Sequence, residues 1–66
     1  MIIILNGKET ELDHAMTIFA MLEHGDIAPQ TVVVERNGEI VPGELFAATV
    51  LNDGDQLEVL RFVGGG

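Results

Sequence analysis

The stretch DGDQLEVLRFVGGG, residues 53–66, decides the fold and points toward the function. Asn52 to Asp55 reads as a tight polar turn, because asparagine, aspartate and glycine bond their own backbone and tolerate unusual φ angles. Gln56 to Val63 then reads as the last strand. A pleated chain alternates its side chains, so Leu57, Val59 and Arg61 face one way and Glu58, Leu60 and Phe62 the other. Leu57 and Val59 are assigned to the core, which leaves Leu60 and Phe62 on an open face with Glu58 beside them. Gly64, Gly65 and Gly66 follow without a cap or stop. Residues without Cβ lie close to another backbone or thread a slot that any side chain would block, yet they bury nothing and cost entropy to order. Two readings stand: a flexible tail that presents Gly66 to a partner's active site, or a frayed end.

Working outward, the other strongly apolar stretch is at the start. Met1 to Leu5, MIIIL, suits a strand covered on much of both faces. Asn6-Gly7 is a hairpin signal, so Lys8 to Leu12 is the returning edge strand, its charges discouraging further pairing. Thr17 is a helix N-cap, with Ile18, Met21 and Leu22 forming an apolar stripe behind it. Gly25 is expected to stop that helix in the left-handed conformation, with His24 near the negative end of its dipole. Asp26 to Gln30 is a loop. Thr31 to Arg36 is a valine-rich strand with Val32 and Val34 inward; Asn37-Gly38 is a second hairpin turn; Glu39 to Val41 returns and ends at Pro42-Gly43. Glu44 to Val50 holds room for one helical turn that buries Leu45 or Phe46.

The two most apolar strands are the first and the last. Placing them side by side and parallel at the sheet centre covers both their faces, and the long path between them supplies the crossover that parallel pairing needs. The expected fold is α+β: the β-grasp architecture of ubiquitin-like proteins, a mixed sheet of four to five strands with one helix across it, residues 1–63 forming the domain and 64–66 the tail. Met1, Ile3 and Leu5 share the core parity, leaving Ile2 and Ile4 outward. If the first and last strands are neighbours, Ile2, Ile4, Leu60 and Phe62 make one apolar patch near the root of the tail, flanked by Glu58. Contiguous exposed apolar surface commonly marks a partner site.

Composition narrows the function classes. Eleven acids against Lys8, Arg36 and Arg61 give a net charge of −8. That field repels phosphate backbones, which argues against nucleic-acid binding, and attracts basic protein surfaces. There is no cysteine to form a disulfide or a thiolate nucleophile. No stretch approaches the roughly 20 apolar residues of a membrane helix, and no basic region precedes the apolar start as in a signal peptide; the expected location is the cytoplasm. No phosphate-cradling glycine loop occurs. His14 and His24, with Asp13, Glu23 and Asp26 nearby, are the candidates for acid–base chemistry, but two histidines ten positions apart do not make a recognisable zinc site. They read as surface residues.

The chain resembles the ThiS family, the sulfur carriers of thiamine biosynthesis. The marks are IIILNG at residues 2–7, NGEIVP at 37–42, DGDQLEVL at 53–60 and the closing VGGG. Each is weak alone; their order and spacing over the full length carry the likeness. One departure is Gly43, where the family often has a basic residue. The resemblance implies that Gly66 is the reacting residue, adenylated by a ubiquitin-activating-type adenylyltransferase that uses ATP and magnesium. A sulfur donor protein then displaces AMP to leave a thiocarboxylate, and thiazole synthase takes the sulfur. Gly65 would allow passage through a narrow channel. On this reading the carrier binds no cofactor and is not an enzyme. Alternatives are a related carrier for molybdopterin or tRNA thiolation, conjugation to lysines, or a non-catalytic interaction module with an inert tail. Molybdopterin carriers are usually longer, which favours the thiamine pathway.

Overall fold

Asn6-Gly7 and Asn37-Gly38 each turn through two positive φ angles, 50° and 81° in the first pair and 52° and 87° in the second. Two successive left-handed residues match the right-handed twist of the strands they join, which is why these dipeptides close tight hairpins. In the computed structural model, which describes residues 1–62, the first turn joins β1 (Ile2–Leu5) to β2 (Lys8–Glu11), and the second joins β3 (Val32–Arg36) to β4 (Glu39–Val41). The last strand, β5 (Gln56–Arg61), enters between the two hairpins and gives the sheet order β2-β1-β5-β3-β4. β5 runs parallel to β1 and antiparallel to β3. The expected central parallel pair is present.

One helix, α1 (Ile18–His24), packs against this sheet, with Ile18, Met21 and Leu22 buried. The Thr17 hydroxyl accepts the Ala20 N–H at 3.1 Å, satisfying one orphan donor of the first turn. The C-terminus differs from the expectation. Gly25 has φ −88°, and the left-handed residue is Asp26 at φ 61°. The Asp26 N–H bonds the Glu23 carbonyl at 3.0 Å and the Ile27 N–H bonds the Leu22 carbonyl at 2.9 Å. This Schellman closure is set one residue later than a glycine stop would place it, and aspartate is among the few L residues that visit that region readily.

The core is Ile3, Met16, Ile18, Met21, Leu22, Val32, Val34, Phe46, Leu51 and Leu57. Between β4 and β5 the chain makes a 3-10 helix, Gly43–Ala48, that buries Phe46 and leaves Leu45 exposed. A shorter one, Pro29–Thr31, replaces part of the expected loop. Met16 and Leu51 are buried because the segments that carry them pair with each other. Ile18 N–H donates to the Thr49 carbonyl at 3.0 Å and Leu51 N–H to the Met16 carbonyl at 2.9 Å, around the bridge Thr17–Val50. Among the described residues no helix is long and apolar enough to cross a membrane.

Candidate functional site

The register of β5 defines the two faces of the sheet. Arg36, Val34 and Val32 stand opposite Leu57, Val59 and Arg61, and these sit on the helix side. Glu35 and Val33 stand opposite Glu58 and Leu60 on the open side, and Ile40 of β4 is paired with Glu35. Beyond the strand, the Phe62 N–H still bonds the Thr31 carbonyl at 3.0 Å, so pairing continues to the last described residue. Leu60 and Phe62 are exposed at 52% and 59%. That is a high exposure for side chains of this size on a paired strand.

Ile2, Ile4, Glu58, Leu60 and Phe62 all carry the expected outward parity, but they do not form one patch at the root of the tail. β1 and β5 pair with Ile4 opposite Gln56 and Leu5 opposite Leu57. Leu60 is therefore four residues past the level of Ile4, roughly 13 Å along the strand at the rise of a β-chain, with Gln56 and Glu58 between. Parallel neighbours have no turn between them to set their offset. Here it is set by the Asn52–Asp55 turn, whose Gly54 N–H bonds the Ile2 carbonyl at 2.7 Å while the Asp53 carboxylate accepts the Ile2 N–H at 2.7 Å. The apolar neighbour of Leu60 is instead Val33, directly opposite; Ile40, exposed at 67%, stands beside Glu35 in the next row, two strands from Leu60. Val33 was readable as outward from the parity of Val32 and Val34; Ile40 needed the pairing partner of β4.

Past the end of β1, Asn6 extends the contact with β5. Its side-chain oxygen accepts the Val59 N–H at 2.8 Å, and its side-chain amide reaches the Val59 carbonyl at 3.4 Å. The exposed end of β5 is thus held on both edges, by Asn6 and by β3. Gly64, Gly65 and Gly66 lie outside the described residues.

His14 and His24 come together on the rim of one groove of about 310 Å³ between β2 and α1, with Glu11 and Asp13 on the same rim and Leu12, Met16 and Met21 in its floor. Their separation in sequence concealed this. Among the described residues no three histidine, aspartate or glutamate side chains are placed to hold a metal ion.

Two hairpins, a parallel central pair and one short helix across the sheet define a ubiquitin-like β-grasp protein. Comparison with known proteins assigns it further. The chain belongs to the ThiS family, whose profile matches residues 3–66. It is 38% identical over 63 residues to the sulfur carrier protein ThiS of Bacillus subtilis, covering 94% of this chain and 96% of that one. The crystal structure of the thiamine biosynthesis protein ThiS from Geobacter metallireducens superposes with a TM-score of 0.86 at 38% identity, over 100% of both chains. A thiazole synthase of Paramagnetospirillum magneticum is 42% identical over 64 residues, which is 97% of this chain and 20% of that enzyme. The chain thus spans about a fifth of the thiazole synthases it matches.

Leu60→Asp or Phe62→Asp is expected to leave the fold intact, since neither side chain is in the core, and to weaken binding to a partner that takes the tail. Circular dichroism together with calorimetric titration checks both halves; an unfolded variant would place these side chains in the core.

Proposed function

We propose that the protein is a sulfur carrier of thiamine biosynthesis whose Gly66 carboxylate is activated and converted to a thiocarboxylate. A carboxylate is a poor electrophile. An activating partner with ATP and magnesium would let a Gly66 oxygen attack the α-phosphorus and expel pyrophosphate, leaving a glycyl adenylate. A sulfur nucleophile from a donor protein then attacks the carbonyl carbon, and the bond to AMP breaks. With a protein persulfide as donor the product is an acyl disulfide; a second thiol attacks its donor-side sulfur, the S–S bond breaks to leave a disulfide on the donor side, and the released thiocarboxylate has one oxygen of Gly66 exchanged for sulfur. The carrier supplies the substrate end; ATP binding and catalysis belong to the partner.

The observation that carries this reading is the ThiS family match, which runs through Gly66 and spans nearly the whole of the Bacillus subtilis sulfur carrier. The thiazole synthases in which a similar stretch is a fifth of the polypeptide support thiazole synthase as the enzyme that takes the sulfur. Chain geometry adds a physical reason for the exposed base of the tail. Gly66 is four residue steps beyond Phe62, a reach of at most about 14 Å even when fully extended. A partner that works on Gly66 must therefore come close to Phe62 and Leu60.

Intact-mass spectrometry tests the reading. After incubation with the adenylating enzyme, ATP, magnesium and a sulfur donor, the protein should gain about 16 Da, one oxygen replaced by sulfur, the acyl form in which covalent transfer proceeds. An unchanged mass under conditions that convert another ThiS carrier would refute it. A stable adduct of carrier with a protein lysine would instead mark conjugation.

A further inference from the structure

Antiparallel pairing fixes which backbone groups of an edge strand are spent and which are left over. Leu12 donates its N–H to the Met1 carbonyl at 2.8 Å, and the Met1 amino group donates back to the Leu12 carbonyl at 3.3 Å. Hydrogen-bonded and non-bonded pairs alternate along such a ladder. Thr10, opposite Ile3, and Lys8, opposite Leu5, therefore spend their groups on β1, while Glu9 and Glu11 turn N–H and C=O away from it. β2 is an edge of the sheet, and no other described residue bonds those groups. The groove of about 310 Å³ runs beside this same edge, lined by Thr10 and Leu12 from the β2 side and by Met16, Met21 and Gly25 from the α1 side. The carboxylates of Glu9 and Glu11 are exposed on the opposite face of the strand, level with Ile4 and Ile2. The other edge strand, β4, is three residues long.

We propose that β2 accepts an extended segment of another protein as an added antiparallel strand, and that the segment alternates basic and apolar residues. Its backbone exchanges hydrogen bonds with the outward groups of Glu9 and Glu11, the mode in which sheet edges take peptides. The register then dictates the side chains. Residues bonded to Glu9 and Glu11 stand directly opposite them, on the face that carries their carboxylates, where a cation is favourable. Residues between and beyond stand opposite Thr10 and Leu12, on the groove side, where an apolar side chain reaches Met16 and Met21. Charges on an edge strand discourage indiscriminate pairing; here their sign selects the partner, and a net charge of −8 draws a basic segment in. A second copy does not fit, because two β2 strands paired about Thr10 would set Glu9 against Glu11 twice. Residues 63–66 of this chain do not fit either, since they bring one apolar side chain and no cation. β2 lies two strands from β5, roughly 10 Å across the sheet. A partner held at this edge leaves Leu60 and Phe62 uncovered.

Titration of the isotope-labelled full chain with a short capped peptide alternating arginine and valine, followed by amide NMR, tests this. Saturable shifts should concentrate at Glu9 to Leu12, Met16 and Met21. Amide hydrogen exchange at Glu9 and Glu11 should slow by about tenfold once the peptide stands near ten times its Kd. Three control peptides separate the contributions: glutamate in place of arginine, serine in place of valine, and N-methylation at each arginine to remove the bonding N–H. Each should bind at least about tenfold more weakly, since each leaves one set of contacts unmade. Glu9→Gln/Glu11→Gln should bind the arginine–valine peptide about fivefold more weakly and with less salt dependence, as exposed charge pairs do. Absence of saturable shifts with the peptide at about 1 mM, a Kd weaker than any useful contact, would overturn the proposal. Shifts centred on β4 or on Leu60 and Phe62 would do the same, as would N-methylated or glutamate peptides that bind as tightly as the original. Shifts in β2 that follow protein concentration without peptide would assign the edge to a second copy and overturn it too.

Discussion

One alanine appended after Gly66 should lower ATP–pyrophosphate exchange with the adenylating enzyme by at least about a hundredfold. The chemistry asks a carboxylate oxygen to line up with the α-phosphorus of ATP, and a misplacement of 1 Å already costs on the order of 100-fold. An added residue moves the reacting carbon about 3.5 Å along the chain and puts a methyl group where the chain now has glycine. The docking face is untouched, since Leu60 and Phe62 keep their places on β5 and just beyond it. Binding should therefore persist while activation is lost. Measuring both on the same sample separates a tail that reacts from an inert one: an interaction module with an unreactive end predicts no change in either. Undiminished exchange by the extended chain would refute activation at Gly66.

Replacing Asp55 by alanine should destabilise the protein by about 2 kcal/mol, the usual cost of leaving partly buried donors without the acceptor that satisfied them. Asp55 is buried, and its carboxylate accepts the Arg36 Nε–H at 2.9 Å, the Asn37 amide at 3.1 Å and the Asn52 N–H at 2.8 Å. It ties the β3–β4 turn to the loop that enters β5. Burial by itself pushes the carboxyl pKa up, but the hydrogen bonds from Asn52, Asn37 and Arg36, with the Arg36 charge, outweigh it and hold the value below the ordinary one. A carboxylate whose folded pKa is depressed adds stability that is fully present above its unfolded pKa, about 3.9, and is lost as pH falls through the lower folded value. Urea denaturation should thus show a full gap between wild type and Asp55→Ala at pH 7 and a narrowing gap below about pH 4. A gap that stays constant to pH 2 would mean the loss comes from packing alone.

The lesson of the site is about offsets. Parity along β5 and β1 sorted Leu57 and Ile3 inward and Leu60, Phe62 and Ile2 outward, as the structure has them, because alternation is a property of a single strand. Which outward residues touch is a property of two strands. The patch expected from Ile2, Ile4, Leu60 and Phe62 assumed that neighbours in the sheet lie level. Instead β5 runs on past β1, so its outer end is paired with β3 alone and braced by Asn6. The partner of Leu60 is Val33, and the opposed Glu35 and Glu58 became visible only once β3 was in register. Asp55 likewise read as one more polar turn residue; its role depends on Arg36, 19 residues away in sequence.

By itself the sequence determined whatever a few adjacent residues decide through their own dihedral angles and alternation: two Asn-Gly hairpins, the Thr17 cap, the inward and outward sides of each strand, and a parallel pair made from the two least polar segments. Tertiary structure decided what depends on the offset between segments distant in the chain: the lateral register of β1 on β5, the burial of Phe46, Met16 and Leu51, the shift of the left-handed residue to Asp26, and the acidic open face. The reason is that turns and side-chain alternation are local energies, whereas register is the minimum of a sum of hydrogen bonds and packing contacts that no single stretch contains.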